Sequence, residues 1–303
     1  MDFVVRHAIR QGVRPITAFQ MATLNPAERF GVWRDVGNVT PARYADIILL
    51  DGNLADVDVS LTIAAGEVVA EGGRMMAELP SFVFPEYALS TVKLPNGISE
   101  ETFDVSAPSE NGRVRARTIR AVENHVETKE EWAELPVEGG LVRLDPEQDV
   151  AKICVIERHG KTGDWRTGFV AGLGFDRPAA LATTVAHDSH NLMVMGNSEE
   201  MMARAARAVA DEGGGVAVAT EDELTLLPLP VAGLLSTDPY EEVAARSRAV
   251  GEALLRAGCR LNYAFMTLSL LALVVLPELR VSDKGLVGVG ESGFEFVDLI
   301  EQG

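Results

Sequence analysis

Four prolines set the first limit on how this chain can fold. Pro80, Pro85, Pro95 and Pro108 punctuate a stretch, residues 76–112, that is otherwise rich in Ser, Glu and Asn. A proline lacks a backbone N–H and clashes with the preceding helical turn, so neither a long helix nor a central strand can run through such a segment. The stretch reads as an extended linker. The chain must build its cores on either side of it, and 303 residues with 47% hydrophobic content supply enough apolar surface for more than one.

Upstream, Phe3, Val4, Ala8 and Ile9 recur at helical spacing until Gly12, and Pro15 opens a second helix that runs to Ala22. Little in the first forty residues offers these apolar faces a partner, which predicts a further element upstream. The period then changes to that of strands over Ala45–Asp51 and Val57–Val69, interrupted at Gly66 and closed by Gly72-Gly73. Downstream, Val114–Val122, Gly140–Leu144 and Val150–Glu157 read as strands, with an antiparallel sheet as the simplest arrangement. A helix over Glu199–Glu212 stops at Gly213-Gly214-Gly215, a strand follows over Val216–Thr220, and a further helix spans about Pro239 to Ala257. Tyr263–Leu276 is 14 residues of apolar character, short of the ~20 that a membrane-spanning helix requires. It reads as a buried core segment, with Met201, Met202 and Met266 as core filler. The pattern gives two short helices, a small β unit over residues 37–72, the linker, and strands with helices from Arg113 onward.

With 45 acidic against 27 basic residues, the net charge is −18. Such a surface repels phosphate backbones and anionic membranes, which argues against a nucleic-acid or membrane partner. Cys154 and Cys259 stand far apart with no paired motif, as expected of buried thiols in a reducing cytoplasm. No charged start followed by an apolar run suggests a secretory signal.

The densest chemistry lies between Ala182 and Asn197. A strand-like run ends near Ala186, and Ser198 followed by Glu199 and Glu200 reads as a helix start. Between them, His187, Asp188, His190 and Asn191 are candidates for side chains presented to a ligand at the sheet edge. The competing reading is a polar turn in which Asp188 and Asn191 bond their own backbone. A metal site is a third: His187 and His190 have no third ligand at helical or strand spacing, and His159 could complete the set across space. Other motifs fail on context. Gly213-Gly214-Gly215 follows a helix instead of opening one, Gly172-Leu173-Gly174 is too short for a dinucleotide fingerprint, and no serine sits in a G-x-S-x-G elbow.

The run Val185-Ala186-His187-Asp188-Ser189-His190-Asn191, with Gly172-Leu173-Gly174-Phe175 before it and Gly213-Gly214-Gly215 after it, resembles the C-terminal domain of the adenine deaminase family. So do Leu227–Ser236, Phe265–Leu273 and Pro277–Leu286, in the same order, so that the likeness covers residues 150–290. Ala22–Ala27, Gly37–Pro41 and Ala45–Asp51 are similar to the end of an amidohydrolase barrel and the return into its β-sandwich. The resemblance implies an α+β fold: the last helices of an amidohydrolase barrel in residues 1–32, a β-sandwich strip in 33–75, the linker 76–112 and the C-terminal domain over 113–303. Where that family has a Pro-Gly turn, this chain has Pro41-Ala42.

The resemblance implies hydrolysis of adenine to hypoxanthine and ammonia in cytoplasmic purine salvage. It also implies a binuclear manganese or iron centre, held in a barrel whose first ligand motif is His-x-His, that activates the attacking water. No His-x-His occurs here and the likeness begins beyond the barrel ligands, so no barrel residue is carried over. The zinc-dependent cytidine deaminases are excluded separately, since their H-x-E and P-C-x-x-C pair does not occur. Two expectations follow. In one, the chain is a truncated or split adenine deaminase, inactive alone, whose pocket candidates His187, Asp188, His190 and Asn191 face adenine once a separate barrel segment is present. In the other, it is a non-catalytic accessory or remnant domain that binds a partner barrel through the apolar surface around Phe3, Ile9, Ile16 and Phe19. A homo-oligomer is compatible with either.

Overall fold

A computed structural model describes residues 1–80, 82–95, 97–290 and 293–301. They fall into two compact units, Met1–Val83 and Phe84–Gly303, and the fold is α+β.

In the first unit, helices α1 (Asp2–Arg10), α2 (Pro15–Ala22) and α3 (Leu24–Arg29) precede strands β1 (Ile47–Asp51), β2 (Asp58–Ala64), β3 (Glu67–Glu71) and β4 (Arg74–Met75). The strands form an antiparallel meander in chain order. Val5, Ala18 and Val57 make a small core, against which Ile9 and Phe19 pack, while Phe3 and Ile16 stay exposed. The Pro41-Ala42 turn puts Ala42 at φ +67°, the left-handed region that a glycine enters without a Cβ clash.

The second unit opens with α4 (Glu86–Leu89) and contains a nine-stranded sheet among the described residues. Its strands are β5 (Asn111–Ala121), β6 (Thr128–Glu138), β7 (Leu141–Val142), β8 (Val150–Ile156), β9 (Trp165–Ala171), β10 (Ala179–Thr183), β11 (Leu192–Gly196), β12 (Gly215–Thr220) and β13 (Leu224–Pro228). The order is β13-β12-β10-β11-β8-β9-β5-β6-β7. All pairings are antiparallel except β5 with β9, which run parallel over Thr118–Arg120. That one pair departs from the simple antiparallel arrangement the sequence suggests.

β8, β10, β11 and β12 read as continuous apolar runs because both faces of the sheet are covered. On one face lies α5 (Glu199–Asp211), whose Met202, Ala205, Ala206 and Val209 pack on Cys154, Ala180, Ala182, Val194 and Ala217. Ser198 caps it by accepting from the Met201 N–H at 3.4 Å, and Glu199 and Glu200 suit the positive end of the helix. On the other face, α6 (Tyr240–Arg256) and α7 (Ala264–Ser269) bring Val250, Leu254 and Leu268 onto Ile153, Leu181, Met193 and Val218. Each such side chain contributes roughly 1.5–3 kcal/mol when fully buried. A three-stranded antiparallel sheet, β14 (Leu279–Ser282), β15 (Gly285–Gly290) and β16 (Gly293–Val297), completes the unit.

Much of the stretch read as linker belongs to this second unit. Phe103, in a 3-10 turn over Glu100–Phe103, is fully buried beneath α5. The Lys93 N–H donates to the Arg158 carbonyl at 2.7 Å, and the Ala232 N–H donates to that of Ala88 at 2.6 Å. The apolar run at 263–276 also differs from its reading: Leu268 and Leu271 are core, but Tyr263 (64%), Met266 (52%) and Val275 (57%) are exposed. The run breaks into a short helix and turns, so one of its faces meets solvent; Met266 is not core filler. Met201 and Met202 are buried.

Two details bear on stability. Arg280 on β14 has no exposed surface, and its guanidinium donates to four backbone carbonyls, those of Leu270, Leu276, Pro277 and Val126. Burial pushes its pKa down to about 10, against the opposing pull of Glu127. At the other detail, β5 meets β9 only from Thr118 onward, and the chain returns to cover what precedes it. The Arg117 N–H donates to the Leu299 carbonyl at 2.7 Å, and the Glu301 N–H to that of Arg115 at 3.0 Å.

Candidate functional site

β10 and β11 are antiparallel neighbours, pairing Thr183 with Met193, so the residues between them form a loop at one end of the sheet. Its first residue, Thr184, is buried: its hydroxyl donates to the Gly233 carbonyl at 2.6 Å and accepts from the Gly215 N–H at 2.9 Å. The His187 N–H donates to Ser269 O at 3.2 Å, and the His190 N–H closes a turn on Ala186 O at 2.7 Å. That turn puts His190 at φ +51°.

The structure brings the two loop histidines together. Their ring centroids are 5.0 Å apart, edge to face at 64°. His187 and His190 are half-buried, while Asp188 is exposed. Asn191 is buried, and its amide is a structural bridge: Oδ1 accepts from the Arg158 N–H at 3.4 Å and Nδ2 donates to Asp283 at 3.3 Å. Nδ1 of His190 is buried without a hydrogen-bond partner among the described residues. Burial holds the His190 pKa below its usual value, helped by His187 and Arg158 and opposed by Asp188 and the Thr184 backbone. Burial thus disfavours the charged form of this ring.

The end of β8 faces this loop. Glu157 is buried, and its carboxylate accepts four backbone N–H groups, from His159 at 2.5 Å, Lys161 at 2.9 Å, and Thr162 and Gly163 at 3.1 Å. Burial alone raises a carboxyl pKa, but these donors outweigh it and the net shift is downward. Arg158, 2% exposed, has no carboxylate partner among the described residues. Its Nε donates to the His190 carbonyl and its two terminal nitrogens to the Ala232 carbonyl at 2.9 Å and to Thr91 at 3.3 Å. A Cβ on Gly233, which sits at φ +72°, would lie 2.8 Å from that guanidinium and push it aside. His159 is exposed, with Nε2 2.8 Å from Ser189 O. Sequence reading missed Glu157, Arg158 and Thr184. The available signal was a charged pair, Glu157-Arg158, following seven apolar-dominated strand residues without a turn residue between.

These positions do not make a metal centre. Among the described residues no group of three or more His, Cys, Asp or Glu side chains could hold a metal ion. His159 uses its Nε2 on a carbonyl, and His187 and His190 meet edge-on without a third donor. The residues present do not fit a binuclear site. Cys154 is no nucleophile either, since burial pushes its thiol up to about 12. A separate cleft of about 540 Å³, lined by Arg143, Gln148, Phe175, Arg177, Asn197 and Glu199, opens at the opposite end of the same sheet. No helix among the described residues is long and apolar enough to cross a membrane.

Comparison with known proteins places this architecture. Residues 2–78 match the amidohydrolase family, and residues 125–292, which include the whole histidine loop, match the adenine deaminase C-terminal domain. The chain belongs to the adenine deaminase C-terminal domain family. It is 68% identical over 303 residues to an adenine deaminase of Rubrobacter xylanophilus, covering 100% of this chain and 50% of that protein. It is 46% identical to one of Ruegeria pomeroyi and 45% identical to one of Moorella thermoacetica, covering 99% of this chain and 50% of the relative in each case. The chain spans about half the length of the curated relatives it matches.

Proposed function

We propose that this chain supplies the C-terminal half of a metal-dependent adenine deaminase, which converts adenine and water to hypoxanthine and ammonia in cytoplasmic purine salvage. The observation that carries this reading is the 68% identity, end to end, with an adenine deaminase twice as long. The described residues offer no metal-holding set, so in this reading the manganese or iron centre belongs to a barrel segment outside these 303 residues. That segment docks on the first unit, where Phe3 and Ile16 stand exposed. His187, Asp188 and His190 then border the adenine pocket, with the Nδ1 of His190 available to a polar group there, while Asn191 braces the loop behind them through Arg158 and Asp283.

Ammonia release from adenine tests the proposal. The purified chain is assayed with Mn²⁺ or Fe²⁺, alone and mixed with a separately produced barrel segment. Activity on mixing only is expected; its absence in both conditions refutes the reading.

A further inference from the structure

We infer that Arg158 and His159 form a two-residue clamp that positions the paired imidazoles of His187 and His190 by holding the consecutive carbonyls of Ser189 and His190. The inference rests on the proposed role of the loop, but its geometry stands independently. From adjacent positions at the end of β8, the Arg158 Nε donates to the His190 carbonyl and the His159 Nε2 to the Ser189 carbonyl at 2.8 Å. A neutral imidazole can donate there only with the proton on Nε2, so the contact also fixes the His159 tautomer. The Arg158 backbone adds a third hold through Asn191 Oδ1. Three successive loop residues are thus gripped from one side, and the left-handed turn at His190 is held closed.

The clamp is itself braced. Glu157 holds the His159 N–H and the three N–H groups of Lys161, Thr162 and Gly163, so the chain leaving Arg158 cannot swing away. The Arg158 guanidinium is tied on its far side to Thr91 and Ala232 and backed by Gly233. A buried guanidinium with no carboxylate is costly, and stability alone would be served as well by an apolar side chain of similar volume. What the guanidinium adds is direction: a planar fork sets both the distance and the angle of the carbonyls it holds. His159, which the sequence offered as a metal ligand, is here a positioning residue.

The test uses the full chain. Nuclear Overhauser contact between the His187 and His190 rings is the readout, with the His7 and His125 rings as internal references and circular dichroism as the check on folding. His159→Phe keeps a ring and loses the donor, whereas His159→Gln keeps a side-chain N–H. The clamp predicts that the ring contact weakens in His159→Phe and returns in His159→Gln. Because His159 is exposed, both variants fold. Arg158→Lys keeps the charge, loses the fork and also weakens the contact. An unchanged contact in His159→Phe, or equal loss in the Phe and Gln variants, overturns the inference. In the mixed enzyme, His159→Phe lowers kcat by about tenfold to a hundredfold with little change in KM, and His159→Gln recovers it. Should the wild-type mixture release no ammonia, the proposed function fails, and the ring contact still decides the clamp.

Discussion

Replacing Arg280 by Met tests how much of the second unit hangs on one side chain. The guanidinium satisfies the carbonyls of Leu270, Leu276, Pro277 and Val126, joining the turns after α7, the start of β14 and the β5–β6 connection. Methionine fills comparable space without a donor. The Pro277 carbonyl still accepts from the Thr128 N–H and the Leu270 carbonyl from the Leu273 N–H, so the substitution strands those of Leu276 and Val126, at about 1 kcal/mol each, the low end for an unpaired polar group, or about 2 kcal/mol in all. The low end applies because loss of the guanidinium also relieves the cost of burying its charge, a cost visible in its pKa of about 10. For a unit of this size, each kcal/mol moves the melting temperature by about 2–4 °C, so the transition should fall by about 4–8 °C. Differential scanning calorimetry and urea unfolding read the loss independently. Arg280→Lys, which keeps charge and a smaller set of donors, should fall between. A loss below about 1 kcal/mol in Arg280→Met would show that water or backbone adjustment satisfies those carbonyls, and would refute the accounting.

Two further substitutions probe the surroundings of the histidine loop. Glu157→Gln should destabilise the chain by about 1–3 kcal/mol at pH 7, because a neutral amide accepts more weakly from the four N–H groups. The folded pKa of Glu157 lies below its unfolded value of 4.5, so its contribution is complete above that pH and is lost as the pH falls through the folded pKa. Urea unfolding at a series of pH values should find the wild type and Glu157→Gln converging in acid, and a constant gap would refute the nest. Gly233→Ala should cost about 1–3 kcal/mol, since residue 233 sits at φ +72° and the new Cβ meets the Arg158 guanidinium at 2.8 Å. Unchanged stability in thermal unfolding would mean that Arg158 has room to retreat.

The parts of the fold legible in the sequence are those whose physics is local. Pro15 starts α2, Ser198 with two acids starts α5, and the apolar runs of β8 and β10 announce strands buried on both faces. β6 escaped notice because Lys129, Glu130, Glu131, Glu134 and Glu138 dominate its composition, although Ala133, Leu135 and Val137 alternate inward. The edge aromatic and Met residues of 263–276 misled in the opposite direction, since composition alone does not say which face of a short helix meets water. At the loop, the residue types pointed to polar chemistry, and the structure does pair His187 with His190. What holds the pair was not legible. Arg158 and His159 precede Ser189 and His190 by about thirty positions, and only the register of β8 against β11, with Ile156 opposite Leu192, brings them face to face. Asn191 looked like a ligand-facing amide for a related reason: its two partners, Arg158 and Asp283, lie far off in the chain.

The return of residues 299–301 to β5 also shapes how the molecule behaves in a crowd. Residues 115–117 would otherwise present free N–H and carbonyl groups beside β9, an open ladder onto which an extended segment of another molecule could add. The short segment occupies that ladder from within the same chain, and the Arg115–Glu301 ion pair at 2.6 Å fastens it. It works as a latch against strand exchange. Loosening it with Glu301→Arg would free the segment whose Leu299 and Ile300 pack on the core and uncover that ladder, an outcome that size-exclusion chromatography reads as self-association.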